Sequence, residues 1–182
     1  MIARRALLGA VLLVGSGAGK PPPEPNSYRM RDYKAPTPTT LDGAPALSTE
    51  DASRLWKSGR AIFVDTLARA PRPPGLPAGT LWHPKPRDDI PGSIWLPDTG
   101  YGALPAIMEG YFATALRTAT KGDRDRTLVF YCRADCWMSW NAARRAEALG
   151  YTKVRWYRDG TDGWAAHGLK LEPREPVHRP RQ

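Results

Sequence analysis

The chain has 182 residues, 41% of them hydrophobic and 25% charged. That is the length and balance of one globular domain with short extensions, and it excludes wholesale disorder and a polytopic membrane protein. Lys and Arg exceed Asp and Glu by 27 − 18 = 9, yet they are scattered, with no basic helix and no interleaved aromatic array; the charge reads as solvated surface and no nucleic-acid partner is expected.

The first eighteen residues read as a secretory signal. Arg4-Arg5 form a basic opening, and the apolar run Ala6 to Val14 follows. As an α-helix that run reaches only about 14 Å, against a hydrocarbon core of ~30 Å, so no membrane span is expected. Ser16 and Ala18 supply the small residues of a cleavage site, which places cleavage after Ala18. Export would put both cysteines in an oxidising compartment.

Residues 19–46 form a proline-rich arm with seven prolines, which cannot be a regular helix. It is either a linker or a strap pinned to the domain by Tyr28 and Tyr33. Regular structure is expected from Leu47. Ser48 with Asp51 three residues on resembles a helix cap, and Gly59 ends that helix. Ala61 to Asp65 reads as a buried strand. The stretch Leu67 to Gly92 carries seven prolines; a loop of that length inside a compact domain is usually functional or specific to a family.

Ser93 to Leu96 reads as a second strand, and Ile107 to Ala119 as a helix. Thr127 to Tyr131, dominated by β-branched and aromatic residues, reads as a third strand. Ser139 to Leu149 reads as a helix closed by Gly150. Lys153 to Tyr157 makes a further strand, and Asp162 to His167 a short helix. Glu172 to Gln182 is proline-rich and charged and is expected to be a flexible tail. Strands alternating with helices predict an α/β fold with a mostly parallel sheet, whose chemistry sits at the carboxyl ends of the strands.

That rule directs attention to Val129-Phe130-Tyr131-Cys132-Arg133-Ala134-Asp135-Cys136-Trp137-Met138-Ser139, which runs from strand through loop to helix. A thiol at Cys132, just after the strand, would face loop N–H groups and the positive end of the next helix. That setting favours thiolate and suits a nucleophile. Arg133 adds positive charge and Asp135 removes some. Cys136 lies four residues on, about 6 Å along a helix axis, within the Cα separation that a disulfide tolerates. Three states are open: two thiols, a local disulfide, or a persulfide on Cys132 that Cys136 resolves. A bridge across so short a loop would stabilise the fold little. His83, His167 and His178 lie at no ligand spacing from the cysteines, so neither a metal nor a cofactor is expected.

Several segments together resemble the rhodanese-like domain across residues 47–171. Phe63-Val64-Asp65 is similar to that family's V-D strand end, and Ile90-Pro91-Gly92-Ser93-Ile94-Trp95-Leu96-Pro97 to its I-P-G-A-x-x-L-P segment. Tyr131-Cys132-Arg133 is similar to its catalytic entry. Leu149-Gly150-Tyr151, Val154, Asp159-Gly160 and Asp162-Gly163-Trp164 are similar to its ending. The resemblance implies a five-stranded parallel sheet flanked by helices on both faces. It also implies a catalytic cysteine, at Cys132, that carries sulfane sulfur as a persulfide, with Arg133, Ala134, Asp135, Trp137 and Met138 forming the substrate-binding loop beside Cys136. A small sulfur donor or an acceptor thiol would be the partner.

The run from Cys132 to Trp137 also resembles an exported subgroup linked to pyrroloquinoline-quinone (PQQ)-dependent catabolism and named for a CXXCW motif. The arm from Pro23 to Pro36 shares that resemblance. It implies a periplasmic protein associated with a PQQ-dependent dehydrogenase. Three residues, not two, separate the cysteines here, and Asp89 stands where the family usually has histidine. Three functions follow as expectations: sulfur transfer through Cys132, thiol–disulfide exchange between Cys132 and Cys136, or a non-catalytic accessory to the dehydrogenase.

Overall fold

A computed structural model describes residues 20–82 and 86–178. The expected signal segment, its cleavage point at Ala18, His83 and the last four residues lie outside the described residues.

Four strands form the central sheet: β3 (Ala61–Asp65), β5 (Ile94–Trp95), β6 (Thr127–Tyr131) and β7 (Val154–Trp156). Their order is β5-β3-β6-β7 and every pairing is parallel. Val64 pairs with Phe130, and Phe130 with Trp156, so alternate residues of three strands share a face. Val64, Leu128, Phe130 and Trp156 face a cluster with Tyr111, Phe112 and Leu116 of α2 (Ala106–Thr120) and Trp140 and Ala143 of α3 (Trp137–Ala148). Phe63, Val129, Tyr131 and Tyr157 face the other way, against Ala52 of α1 (Thr49–Lys57) and Trp164 of α4 (Gly160–Ala166). Burial on both faces explains why these strands read as continuous apolar runs.

The sheet has four strands where five were expected. The proline-rich stretch after β3 adds no strand to it, since proline has no N–H for a ladder. Among its described residues the one strand, β4 (Arg87–Asp89), pairs antiparallel with β8 (Glu172–Arg174) outside the central sheet. That pairing also corrects the expected flexible tail. Val177 N–H donates to the Trp95 carbonyl at 2.9 Å, and the Tyr111 hydroxyl donates to the Val177 carbonyl at 2.8 Å. The chain is therefore packed as far as this point.

Helix α1 starts where its cap signal placed it. The Ser48 hydroxyl accepts from the Asp51 N–H at 3.1 Å, and Ser48→Ala is expected to cost about 1 kcal/mol, read as a shift of the urea midpoint with unchanged slope. Helix α3 begins at Trp137, two residues before the expected start, because its first N–H is satisfied from a distance. Trp137 N–H donates to the Tyr33 carbonyl at 2.9 Å.

Tyr33 belongs to the arm, which is a strap and not a linker. Asn141 on α3 accepts from Arg29 N–H at 2.8 Å and donates to the Arg29 carbonyl at 2.9 Å. The indole N–H groups of Trp137 and Trp140 donate to the Pro36 and Thr40 carbonyls, each at 3.1 Å. A short hairpin, β1 (Thr40–Leu41) with β2 (Ala44–Pro45), then leads the arm into α1.

Candidate functional site

Chemistry-bearing side chains gather at the carboxyl end of β6. The strand exit is held in place first. The Cys132 carbonyl accepts from Thr161 N–H at 3.0 Å, from the Thr161 hydroxyl at 3.3 Å and from Arg87 Nη2 at 3.2 Å. Gly160 packs against the same carbonyl with φ +52°, and a Cβ there would collide with it.

Beneath the exit lies a buried charged cluster. Asp65, at the end of β3, is fully buried and pairs with Arg87, whose side chain is 12% exposed. Burial pushes the Asp65 carboxyl above its usual range, although Arg87 and the Leu67 N–H pull it down. Asp89 is pushed up to about 7, first by burial and then by the charge of Asp65. The Tyr131 hydroxyl donates to Asp89, and burial holds that phenol far above its ordinary value.

The loop then turns sharply. Asp162 accepts from Arg133 Nε at 3.1 Å and from Ala134 N–H at 3.2 Å. Asp135 adopts φ +52°, a left-handed turn that aspartate tolerates better than most residues. Its carbonyl accepts from Ala35 N–H of the arm at 3.0 Å. Lys34 bridges Cys136 through the backbone, and Lys34 Nζ donates to the Ala134 carbonyl at 2.7 Å. The strap thus holds both sides of the turn.

This turn gives the two cysteines opposite settings. Cys132 is 0% exposed. Its thiol faces the Cys136 sulfur, the Ser139 hydroxyl at 3.2 Å and the Cys136 carbonyl at 3.4 Å. Burial, then the bond to Cys136, pushes the Cys132 thiol far above its usual range. Cys136 is the N-cap of α3. The neighbouring Cys132 thiol and the N–H groups of Met138, Arg133 and Ser139 favour its charged form against burial and bring it down to about 6. Both thiols are free. The two thiols are thus shifted in opposite directions, Cys132 upward by burial and Cys136 downward by its neighbours.

Cys136, itself 5% exposed, lines a cleft of about 590 Å³ whose lining omits Cys132. Of the expected substrate-binding residues, Arg133 and Met138 line this cleft and Ala134, Asp135 and Trp137 do not. Asp135 points to solvent, while Trp137 is buried edge-to-face on Trp140 with centroids 5.4 Å apart. The lining that the loop sequence did not reveal comes from elsewhere: Tyr33 and Lys34 from the arm, Leu67 and Arg69 from the proline-rich stretch, and Arg87 and Trp95. The length of that stretch was the available signal. Of the charged lining, Arg87 and Arg133 are paired with Asp65 and Asp162, which leaves Lys34 and Arg69 against Asp88; the Arg69 Nε is buried without a hydrogen-bond partner.

Alkylation of the folded protein is expected to rise with pH with a midpoint near 6, set by the Cys136 thiolate. A midpoint near ~8.5, that of an unperturbed thiol, would contradict this electrostatic arrangement. A second cavity of about 250 Å³, between α2 and the C-terminal segment, is mostly apolar and holds no cysteine. Among the described residues no cluster of three or more His, Cys, Asp or Glu could hold a metal ion. No helix among them is long and apolar enough to cross a membrane.

Residues 86–167 match the rhodanese-like domain family. No curated protein matches the chain. Solved structures with a similar chain path include a thiosulfate sulfurtransferase from Pseudomonas aeruginosa, at 17% identity and a TM-score of 0.48, covering 72% of this chain and 21% of that one. A human single-domain sulfurtransferase is 27% identical with a TM-score of 0.41, covering 68% of this chain and 97% of that one. The polysulfide-sulfur transferase homodimer of Wolinella succinogenes is 18% identical with a TM-score of 0.44, covering 75% and 83%.

Proposed function

Because residues 86–167 match the rhodanese-like domain family, we propose that this protein is a sulfurtransferase that accepts sulfane sulfur from an anionic donor onto the cysteine pair at the end of β6 and passes it to an acceptor thiol. The observation that carries the proposal is a thiol with a lowered pKa lining a largely apolar cleft whose rim also carries Lys34 and Arg69. The thiolate attacks the outer sulfur of a donor such as thiosulfate, a persulfide forms and sulfite leaves with the bonding electron pair. Loop N–H groups steady the terminal sulfur anion. An acceptor thiolate then attacks that sulfur and regenerates the cysteine.

Sequence placement alone favoured Cys132 as the carrier. Its complete burial and retained proton favour Cys136 as the thiol that meets the donor. The test is sulfite release from thiosulfate by the reduced, desalted protein. About one sulfite per chain in the first turnover is expected; no sulfite above the protein-free rate would contradict the reading.

The finer resemblance extends the proposal to the periplasm and to PQQ-dependent alcohol oxidation. Its support is the basic and apolar opening of residues 1–18 and the run from Cys132 to Trp137. Cell fractionation tests the location. Recovery of a chain trimmed after Ala18 in the periplasm supports it, and recovery of the untrimmed chain in the cytoplasm contradicts it. Co-purification with a PQQ-dependent dehydrogenase tests the partner.

A further inference from the structure

We propose that the sulfur bound at Cys136 is released as sulfide by Cys132, so that the pair reduces sulfane sulfur and ends as a Cys132–Cys136 disulfide. This deepens the sulfurtransferase reading and rests on Cys136 accepting the sulfur.

The argument starts from what Cys132 can reach. It is fully buried in a small cluster with Cys136 and Met138, one layer behind the cleft that those two residues line. In the folded loop Cys132 presents no surface to an acceptor from solution. Its one reactive neighbour is Cys136, which packs in the same cluster and whose carbonyl lies 3.4 Å from the Cys132 sulfur. The left-handed Asp135 turns the backbone to bring them together, and both sides of that turn are tied down, by Asp162 and by the strap. A thiol held against a thiolate, behind the opening, occupies the place of a resolving thiol and not of a second acceptor.

The atoms balance in two steps. First, the Cys136 thiolate takes the outer sulfur of thiosulfate and sulfite leaves. Second, the Cys132 sulfur attacks the Cys136 sulfur, the bond to the outer sulfur breaks, and that sulfur leaves with the electron pair. The Cys132 proton goes to it, giving hydrosulfide. The sulfane sulfur gains two electrons and the two thiols lose them. Resetting the pair takes two electrons from an external thiol or dithiol reductant.

The first step also prepares the second. Burial is the main reason that Cys132 keeps its proton, and the bond and charge of Cys136 add to it. Sulfur addition moves that negative charge one atom outward, toward the cleft, and frees Cys132 of the adjacent anion. The departing hydrosulfide emerges where Lys34, Arg69 and Arg133 stand.

The experiment uses the full chain, reduced and freed of reductant, with thiosulfate as the probe. Sulfite, sulfide and intact mass are read together. The wild type is expected to give about one sulfite and one sulfide per chain and to end about 2 Da lighter than the reduced form. Cys132→Ser, with Cys132→Ala as the second variant, is expected to give sulfite without sulfide and to end about 32 Da heavier. A wild type that keeps the added sulfur and releases no sulfide overturns this inference and leaves the transfer reading standing. A wild type that yields neither sulfite nor a mass change overturns both.

Discussion

Replacing Cys136 by serine is expected to lower thiosulfate-dependent sulfite release by at least ~10³-fold, the consequence of deleting the nucleophile in covalent catalysis. Replacing Cys132 by serine should leave the first sulfite release within about tenfold of wild type. The contrast follows from the settings of the two thiols. Cys136 combines access to the cleft with a lowered pKa, whereas Cys132 has neither. Serine at 132 still supplies a donor hydroxyl beside Cys136, so the thiolate keeps its main support, with a modest rise in pKa expected. Below pH 6 even the wild type should slow, because protonation removes the thiolate. The opposite pattern, with Cys132→Ser silent and Cys136→Ser active, would return the carrier role to the strand-end cysteine.

Arg87→Ala is expected to produce the largest loss of stability, about 3 kcal/mol near pH 8, because removing one partner of a buried ion pair leaves the other uncompensated. Asp65 is 0% exposed, and the remaining hydrogen bond to it is the Leu67 N–H at 2.8 Å. Arg87 also donates to the Cys132 carbonyl and to the Thr161 hydroxyl at 3.0 Å, so its loss loosens the strand exit as well.

The pH dependence has a fixed sign. Asp65 already binds its proton more tightly in the folded protein, and removing Arg87 strengthens that preference. The variant is therefore least destabilised below the unfolded aspartate value of about 3.9, and it loses stability as pH rises toward the raised folded value. The deficit relative to wild type should shrink as pH falls from 8 to 5. Urea titrations at the two pH values check this; a deficit independent of pH would mean that Asp65 is not left charged.

The fold and the site were legible in the sequence to different depths. Strand β6 was plain because Leu128, Val129, Phe130 and Tyr131 are buried on both faces of a parallel sheet. The start of α1 was plain because its cap is local, three residues from Ser48 to Asp51. The start of α3 was not, because its first N–H finds a partner 104 residues away in Tyr33. A fifth strand in the central sheet was implied by resemblance, but the proline-rich segment pairs with the C-terminal segment outside it.

The cysteine pair was found by position and spacing. Which thiol would ionise was not, since that depends on a left-handed Asp135 and on N–H groups oriented by the loop. Arg87, Asp89 and Tyr131 were equally hidden, because their contacts join residues 22 and 42 positions apart in the chain.

The central claim is that Cys136, not Cys132, is the reactive thiolate. Arg133 lies between them, so trypsin separates the two onto residues 127–133 and 134–144. The direct test is brief alkylation of the reduced, folded protein at pH 7, followed by denaturation, blocking of the remaining thiol with a second reagent, and digestion. The account predicts the first label on residues 134–144, with residues 127–133 carrying the second. The reverse distribution would contradict it.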